Sequence, residues 1–252
     1  MKEIKNSESS LEAGLSMFKN LTPILPFQPF SDLVAQGYST FPKNWNLQQG
    51  MTVKLQMYMR RDVFCASFGY VLATAEVMER LVELFGTGRV LDAGSGSGYL
   101  AHELASHGVH MLAVDHADYS LPSELRQHGY AINKVYRQDV VGDAVERISS
   151  AFNAVLLTWP NYDSPFAFNV AKAMLPGQIL VYEGEGNGGC NANNEFFELL
   201  TNTNEWTPLH EASQRLNEVH CTFHGINDHW SIWLRNGLET IAPSESTDMP
   251  DH

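Results

Sequence analysis

Apolar and polar positions change their period several times along this chain. From Val71 to Phe85, apolar residues fall at Val71, Ala75, Met78, Leu81, Val82 and Phe85, the spacing of one helical face. Gly86-Thr87-Gly88 ends that pattern. Four short, nearly continuous apolar runs follow: Arg89 to Asp92, His110 to Asp115, Phe152 to Thr158 and Gln178 to Glu183. Such runs predict strands buried on both faces. Between them the spacing predicts helices over Tyr99 to His107 (closed by Gly108), Ser123 to His128 and Ser164 to Leu175, with a short strand at Lys134 to Tyr136. His220 to Phe223 and Ser231 to Leu234, split by Gly225-Ile226-Asn227-Asp228, predict a terminal hairpin. Alternating strands and helices imply an α/β, doubly wound, Rossmann-like domain. Its sheet is expected to have about seven strands, mostly parallel, with an antiparallel last strand.

The ends of the chain break the alternation. Residues 1–60 carry Pro23, Pro26, Pro29 and Pro42 among aromatics such as Phe27, Tyr38 and Trp45. They read as an N-terminal extension or lid over a domain at 61–236. Residues 237–252 hold four acids and no Lys or Arg, the pattern of a flexible acidic tail.

Composition narrows the function classes. The chain of 252 residues is 44% hydrophobic, enough for a large core, and has a net charge of −13. That charge repels phosphate backbones and anionic lipid, so neither nucleic acid nor membrane is the expected partner. The first sixty residues hold six basic and four acidic side chains, which places the acidity in the rest. Three scattered cysteines make no disulfide framework and no CxxC. No long apolar span and no signal-like start appear, so a soluble cytoplasmic protein is expected.

The sharpest motif is Val90-Leu91-Asp92-Ala93-Gly94-Ser95-Gly96-Ser97-Gly98-Tyr99. A strand enters glycines and a helix starts directly after them, a loop suited to close backbone approach by a ligand. Its GxGxG spacing differs from the GxGxxG of dinucleotide folds, and no GK[ST] follows. Asp92, two residues before the first glycine, suits an ammonium better than a pyrophosphate. Asp115 ends the next strand, where a carboxylate can accept ribose hydroxyls.

Acid, glycine loop and second acid together resemble the class I S-adenosylmethionine-dependent methyltransferases over roughly Val71 to Leu234. The resemblance implies S-adenosyl-L-methionine as cofactor. It implies that Asp92 meets the methionine end, that Gly94, Gly96 and Gly98 line the loop, and that Asp115 holds the ribose. By position, Asp139 and Val140 flank the adenine, His116 and Thr158 touch the cofactor, and Tyr70 closes over it. Gly96→Val is expected to block the loop sterically. LLTWPNYDSPFA, VYEGEGNGGC and GINDHWSIWLR are similar to a little-described branch with a WPPY-type motif after the fourth strand and GEGxGG after the fifth.

Thr158-Trp159-Pro160-Asn161-Tyr162 stands where amine methyltransferases carry [DN]PP[FY], with Trp159 replacing the Asp or Asn. Trp159, Asn161, Tyr162 and Glu185 are the expected substrate contacts, and Tyr162, Asp163 and Glu183 the expected catalytic residues. The acidic pair Glu183 and Glu185 suggests a neutral or cationic acceptor. His220, Cys221, His224, Asp228 and His229 are the one cluster with metal-ligand chemistry, and an ordinary hairpin rim is the expectation there, with no metal. The function expected is methyl transfer to a small-molecule N or O acceptor. Alternatives are another S-adenosylmethionine-using class, such as a lyase, and a non-catalytic cofactor-binding protein. Oligomeric state is left open.

Overall fold

A computed structural model describes residues 61–237 apart from 63, 123, 124, 126–131, 133 and 224. The expected N-terminal lid, the acidic tail and most of the helix at 123–128 therefore lie outside the described residues.

Helix α1 (Ala75–Phe85) starts where Thr74 Oγ1 accepts a hydrogen bond from Val77 N, a capping interaction that satisfies an orphan donor of the first turn. It buries Val77, Met78, Leu81 and Phe85 as one stripe. The apolar pattern ran back to Val71, yet the helix begins only after the Thr74 cap. Strand β1 (Arg89–Ala93) follows, then α2 (Tyr99–Ser106) and β2 (His110–Asp115). β3 is only Val140–Val141, with a 3-10 turn at Val145–Arg147. The rest of the chain runs β4 (Ala154–Thr158), α3 (Phe166–Ala173), β5 (Ile179–Gly184), α4 (Asn194–Leu200), β6 (Trp206–Pro208), α5 (His210–Asn217) and β7 (His229–Arg235).

The strands form one seven-stranded sheet in the order β3-β2-β1-β4-β5-β7-β6. β1 pairs in parallel with β2, from Arg89 opposite His110 to Ala93 opposite Val114. β4 and β5 continue the parallel part, and β7 pairs antiparallel with both β5 and β6. This is the α/β, Rossmann-like, mostly parallel sheet that the alternation predicted.

Helices cover both faces. α1, α2 and α5 enclose a core that includes Met78, Leu81, Leu104 and Trp230. α3 and α4 enclose another, with Leu157, Val170, Tyr182 and Phe196. The central strands are buried on both sides, which is why their apolar runs lack alternation.

Two expected strands are corrected. Residues 134–136 are irregular, and the third strand lies later, at Val140–Val141. Residues 220–223 are irregular as well, and the antiparallel neighbour that replaces them is β6, at Trp206–Pro208. Cys221 and Phe223 instead pack with Phe64, Cys65 and Leu72 in a small third cluster. Their apolar character serves that cluster. Among the described residues no helix is long and apolar enough to cross a membrane.

Candidate active site

In a doubly wound sheet, ligands collect beyond the carboxyl ends of the strands where the order reverses. Here that reversal lies between β1 and β4, with β2 and β5 outside them. A cavity of about 570 Å³ opens at this edge, within the usual range for small-ligand sites. Its wall is assembled from the glycine loop after β1, Asp115 to Ala117 after β2, Gly142 to Ala144 after β3 and Thr158 to Asn161 after β4. The helical segment at 61–68 supplies Arg61, Asp62, Cys65 and Ala66.

The loop is held by its own backbone and by Asp115. Gly94 N and Ser95 N both donate to Val114 O, at 2.9 and 3.0 Å. Asp115 Oδ2 accepts from Gly96 N at 2.8 Å, and Oδ1 accepts from Ala117 N at 2.9 Å. Each carboxylate oxygen keeps a further lone pair for a hydroxyl. Burial raises the Asp115 pKa, opposed by those amide hydrogen bonds. Ser95 Oγ, also on the wall, is buried with no hydrogen-bond partner.

The glycines do different work. Gly98 has φ +65° and caps α2, and a Cβ there would lie 1.7 Å from Arg137 O. Its backbone contact admits no side chain. Gly96, at φ +54°, has only Ile132 Cδ1 within reach, at 3.9 Å. The crowded glycine is thus Gly98, and a side chain at Gly96 would meet a left-handed backbone and the open cavity, not a clash with the loop.

The predicted residues divide between cavity wall and surroundings. Tyr70, Gly94, Gly96, Asp115, His116, Thr158, Trp159 and Asn161 line the cavity together. Asp92 is buried beneath the loop, its pKa pushed up to about 7 by burial and then by Asp115. Asp139 does not reach the wall. Its Oδ2 accepts from Ala113 N at 2.8 Å and pairs with Arg137 Nε at 2.7 Å, fastening the approach to β3 onto β2. Val140 starts β3 behind it. The acid that does line the cavity past β3 is Asp143.

The expected substrate side also separates. Trp159 stacks on Tyr70, with centroids 5.4 Å apart and planes at 23°. Its backbone is left-handed, at φ 45°, an uncommon conformation for an aromatic residue that tends to mark functional sites. Tyr162 is 69% exposed and, like Asp163, is absent from the cavity wall. Glu185 is fixed by Cys190 N and Cys190 Sγ at Oε2, both at 2.9 Å, and by Asn227 N at Oε1, at 3.1 Å. It fastens the glycine-rich loop after β5 to the segment before β7.

Glu183 is fully buried, and neither oxygen has a hydrogen-bond partner. Burial, with Asp228 beside it, holds its pKa well above the usual carboxylate range. Trp159 Nε1 faces this carboxyl and offsets part of that rise, without reaching hydrogen-bond geometry. His220 Nε2 lies 3.8 Å from Glu183 Oε1 and 3.3 Å from Asp228 Oδ1. The ligand atoms of these three residues lie within 4.8 Å of one another, close enough in spacing for a metal ion. The ring chemistry points elsewhere. Trp230 Nε1 donates to His220 Nδ1 at 3.1 Å, and an indole can only donate. Nδ1 is therefore the acceptor and Nε2 carries the proton, aimed at Asp228. A histidine ligating through Nε2 instead donates from Nδ1 to its own partner. Of the sequence cluster, His220 and Asp228 converge, while Cys221 belongs to the third apolar cluster.

Several wall residues were not anticipated: Arg61, Asp62, Cys65, Ser95, Ser97, Asp143 and Phe166. Asp143 follows β3 as Asp115 ends β2, a signal obscured by placing that strand too early. Arg61 and Cys65 come from a segment without a readable period. The Cys65 thiol, pushed up to about 12 by burial, is not a ready nucleophile.

No family model matches the chain, and no curated protein matches it. Solved structures do. A TehB-like SAM-dependent methyltransferase from Corynebacterium glutamicum is 15% identical, with 75% of this chain and 100% of that chain covered and a TM-score of 0.37. The 1,6-didemethyltoxoflavin-N1-methyltransferase of Burkholderia thailandensis, with 1,6-didemethyltoxoflavin and S-adenosylhomocysteine bound, is 14% identical, with 79% and 94% covered and a TM-score of 0.41. The N-methyltransferase NodS of Bradyrhizobium japonicum is 12% identical, with 64% and 93% covered and a TM-score of 0.35. At such values the likeness carries no information about what this chain does.

Proposed function

We propose that this protein is an S-adenosylmethionine-dependent methyltransferase acting on a small molecule with an N or O acceptor. One observation carries the reading: a GxGxG loop whose Gly96 amide is held by Asp115, both on a cavity of about 570 Å³ at the carboxyl edge of the parallel strands. The residues fit such a ligand. Asp115 retains lone pairs for two hydroxyls, and Ser95 Oγ is a buried polar atom awaiting a partner. Gly142 to Ala144 and His116 would flank a base. Asp92 is buried beneath the loop and off the wall, so it would meet the amino-acid end only through water or in a rearranged site.

When bound, the cofactor supplies an electrophilic methyl group on a sulfonium, which departs as a neutral thioether. The chain's own residues then have to exclude water and aim the acceptor lone pair, tasks in which proximity and orientation carry much of the rate. Trp159, Asn161 and Phe166 bound the remaining space. Glu183, Tyr162 and Asp163 are off the wall, so a direct proton-transfer role for them belongs only to a rearranged site.

Calorimetry with S-adenosylmethionine, S-adenosylhomocysteine and NAD tests the reading. Binding of the first two and not the third is expected. Methyl-labelled cofactor, incubated with a metabolite extract, should then pass label to an acceptor. Release of a labelled fragment would mark another S-adenosylmethionine class, and label that stays put would mark a binding protein.

A further inference from the structure

Arg61 opens the described part of the chain, and its guanidinium lies over three rings. The Cζ-to-centroid distances are 5.4 Å to Tyr70, 5.3 Å to Trp159 and 5.7 Å to Phe223. These rings come from separate parts of the fold: after the helical segment, after β4 and before β7. A guanidinium held by ring faces keeps the N–H fork in its own plane available. Arg61 Nε is buried and has no hydrogen-bond partner. Among the described residues no carboxylate lies within ion-pair distance of it. Arg61, Tyr70 and Trp159 all line the cavity. What this arrangement lacks is an acceptor, and a carboxylate fits a guanidinium fork with two parallel hydrogen bonds.

The nearby acids do not fill that place. Glu183 is enclosed behind Trp159, and burial favours its protonated form. Against burial, hydrogen bonds from Cys190 and Asn227 hold the Glu185 pKa low, and the charge of Arg61 adds to them. Glu185 nevertheless lies outside ion-pair distance of Arg61 and commits both oxygens to Cys190 and Asn227. Asp62 is on the wall but exposed, and makes no ion pair with its neighbour. This part of the cavity therefore offers a fixed cation between aromatic walls, opposite in sign to what the acidic pair in the sequence suggested.

We propose that Arg61, clamped by Tyr70, Trp159 and Phe223, is a carboxylate receptor of the cavity, so that the ligand it takes carries a carboxylate beside a flat or apolar body. The proposal rests on the methyltransferase reading only for what binds next to it. Two sources share the chemistry: the acceptor itself and the methionine carboxylate of the cofactor. Position favours the acceptor. The helical segment meets the glycine loop through Phe68 O, which accepts from Ser97 Oγ at 3.0 Å. Arg61 lies seven residues earlier in sequence, on the Trp159 side.

The test is calorimetry on the full chain with benzoate, benzamide and benzylamine, in the presence of S-adenosylhomocysteine, alongside S-adenosylmethionine and its decarboxylated form. Wild type should bind benzoate at least tenfold more tightly than the amide or the amine. Arg61→Gln should lose that preference, and Arg61→Lys, which keeps charge without the planar fork, should retain a small part of it. A thermal melt establishes that each variant is folded. Should Arg61→Gln instead lose tenfold or more for S-adenosylmethionine and nothing for the decarboxylated form, the receptor stands and its carboxylate is the cofactor's. Equal or undetectable binding of benzoate and benzamide by wild type, with S-adenosylmethionine affinity unchanged in a folded Arg61→Gln protein, overturns the proposal. If wild type binds neither S-adenosylmethionine nor S-adenosylhomocysteine, the cofactor reading fails alone, and the benzoate comparison without them still decides the role of Arg61.

Discussion

Asp115 accepts two backbone amides, one from the glycine loop and one from its own strand end, and so both shapes the loop and faces the cavity. Asp115→Ala removes a charge-assisted acceptor, and S-adenosylmethionine affinity should fall by roughly 1.5–3 kcal/mol, about tenfold to a hundredfold. Gly98 and Gly96 separate by sterics. Gly98→Ala drives a Cβ onto Arg137 O and should yield little folded protein, whereas Gly96→Ala should fold with a loss of roughly 1–2 kcal/mol for its left-handed backbone. Expression yield and thermal melts of the pair check this. Asp92 bears on pH. Its folded pKa of about 7 lies above the unfolded value of 3.8, so the unfolded chain releases this proton first as pH rises. The stability tied to its protonated form is complete below pH 3.8 and declines up to about 7. Denaturant titrations across that window should show a shallower decline for Asp92→Asn than for wild type. An equal decline in both would remove Asp92 as its source.

Elements repeat the same division between what a period reveals and what tertiary contacts decide. β1, β2, β4 and β5 were legible because strands buried on both faces must be apolar throughout. β3 and β6 are two and three residues long, too short for any period to mark. Phe223 and Cys221 looked like strand because they are apolar, but the surface they cover is the helical segment at 61–68. The segment Glu183 to Gly189 continues from the end of β5 and carries two of the acids expected at the site, Glu183 and Glu185. Its acids serve structure: Glu183 is enclosed with His220 and Asp228, and Glu185 joins the loop to Asn227. Removing that connection in Glu185→Ala should lower stability by roughly 1–2 kcal/mol, a melting shift of about 2–8 °C for a domain of this size. Cofactor affinity should stay at the wild-type value. A large drop in affinity with no melting shift would return Glu185 to the binding site.

At the scale of the whole molecule, the parallel sheet brings four loop segments and the helical residues near 61–68 to one edge, and most of the cavity wall comes from that convergence, with Tyr70, Tyr119, Ile132 and Phe166 completing it. The glycine-loop side of the wall was largely legible, since that loop and Asp115 follow strands that announce themselves. The opposite side was not. Arg61, Tyr70, Trp159 and Phe223 are far apart in sequence, and only the fold makes a clamp of them. On the proposed function, the cavity is an S-adenosylmethionine site organised by Asp115. The most direct test of that reading is calorimetric titration of wild type and Asp115→Ala with S-adenosylhomocysteine and with NAD. Wild type is expected to bind S-adenosylhomocysteine and not NAD, and a folded Asp115→Ala protein to bind it about tenfold to a hundredfold more weakly. Absence of binding by wild type, or equal affinity in the two proteins, would contradict it.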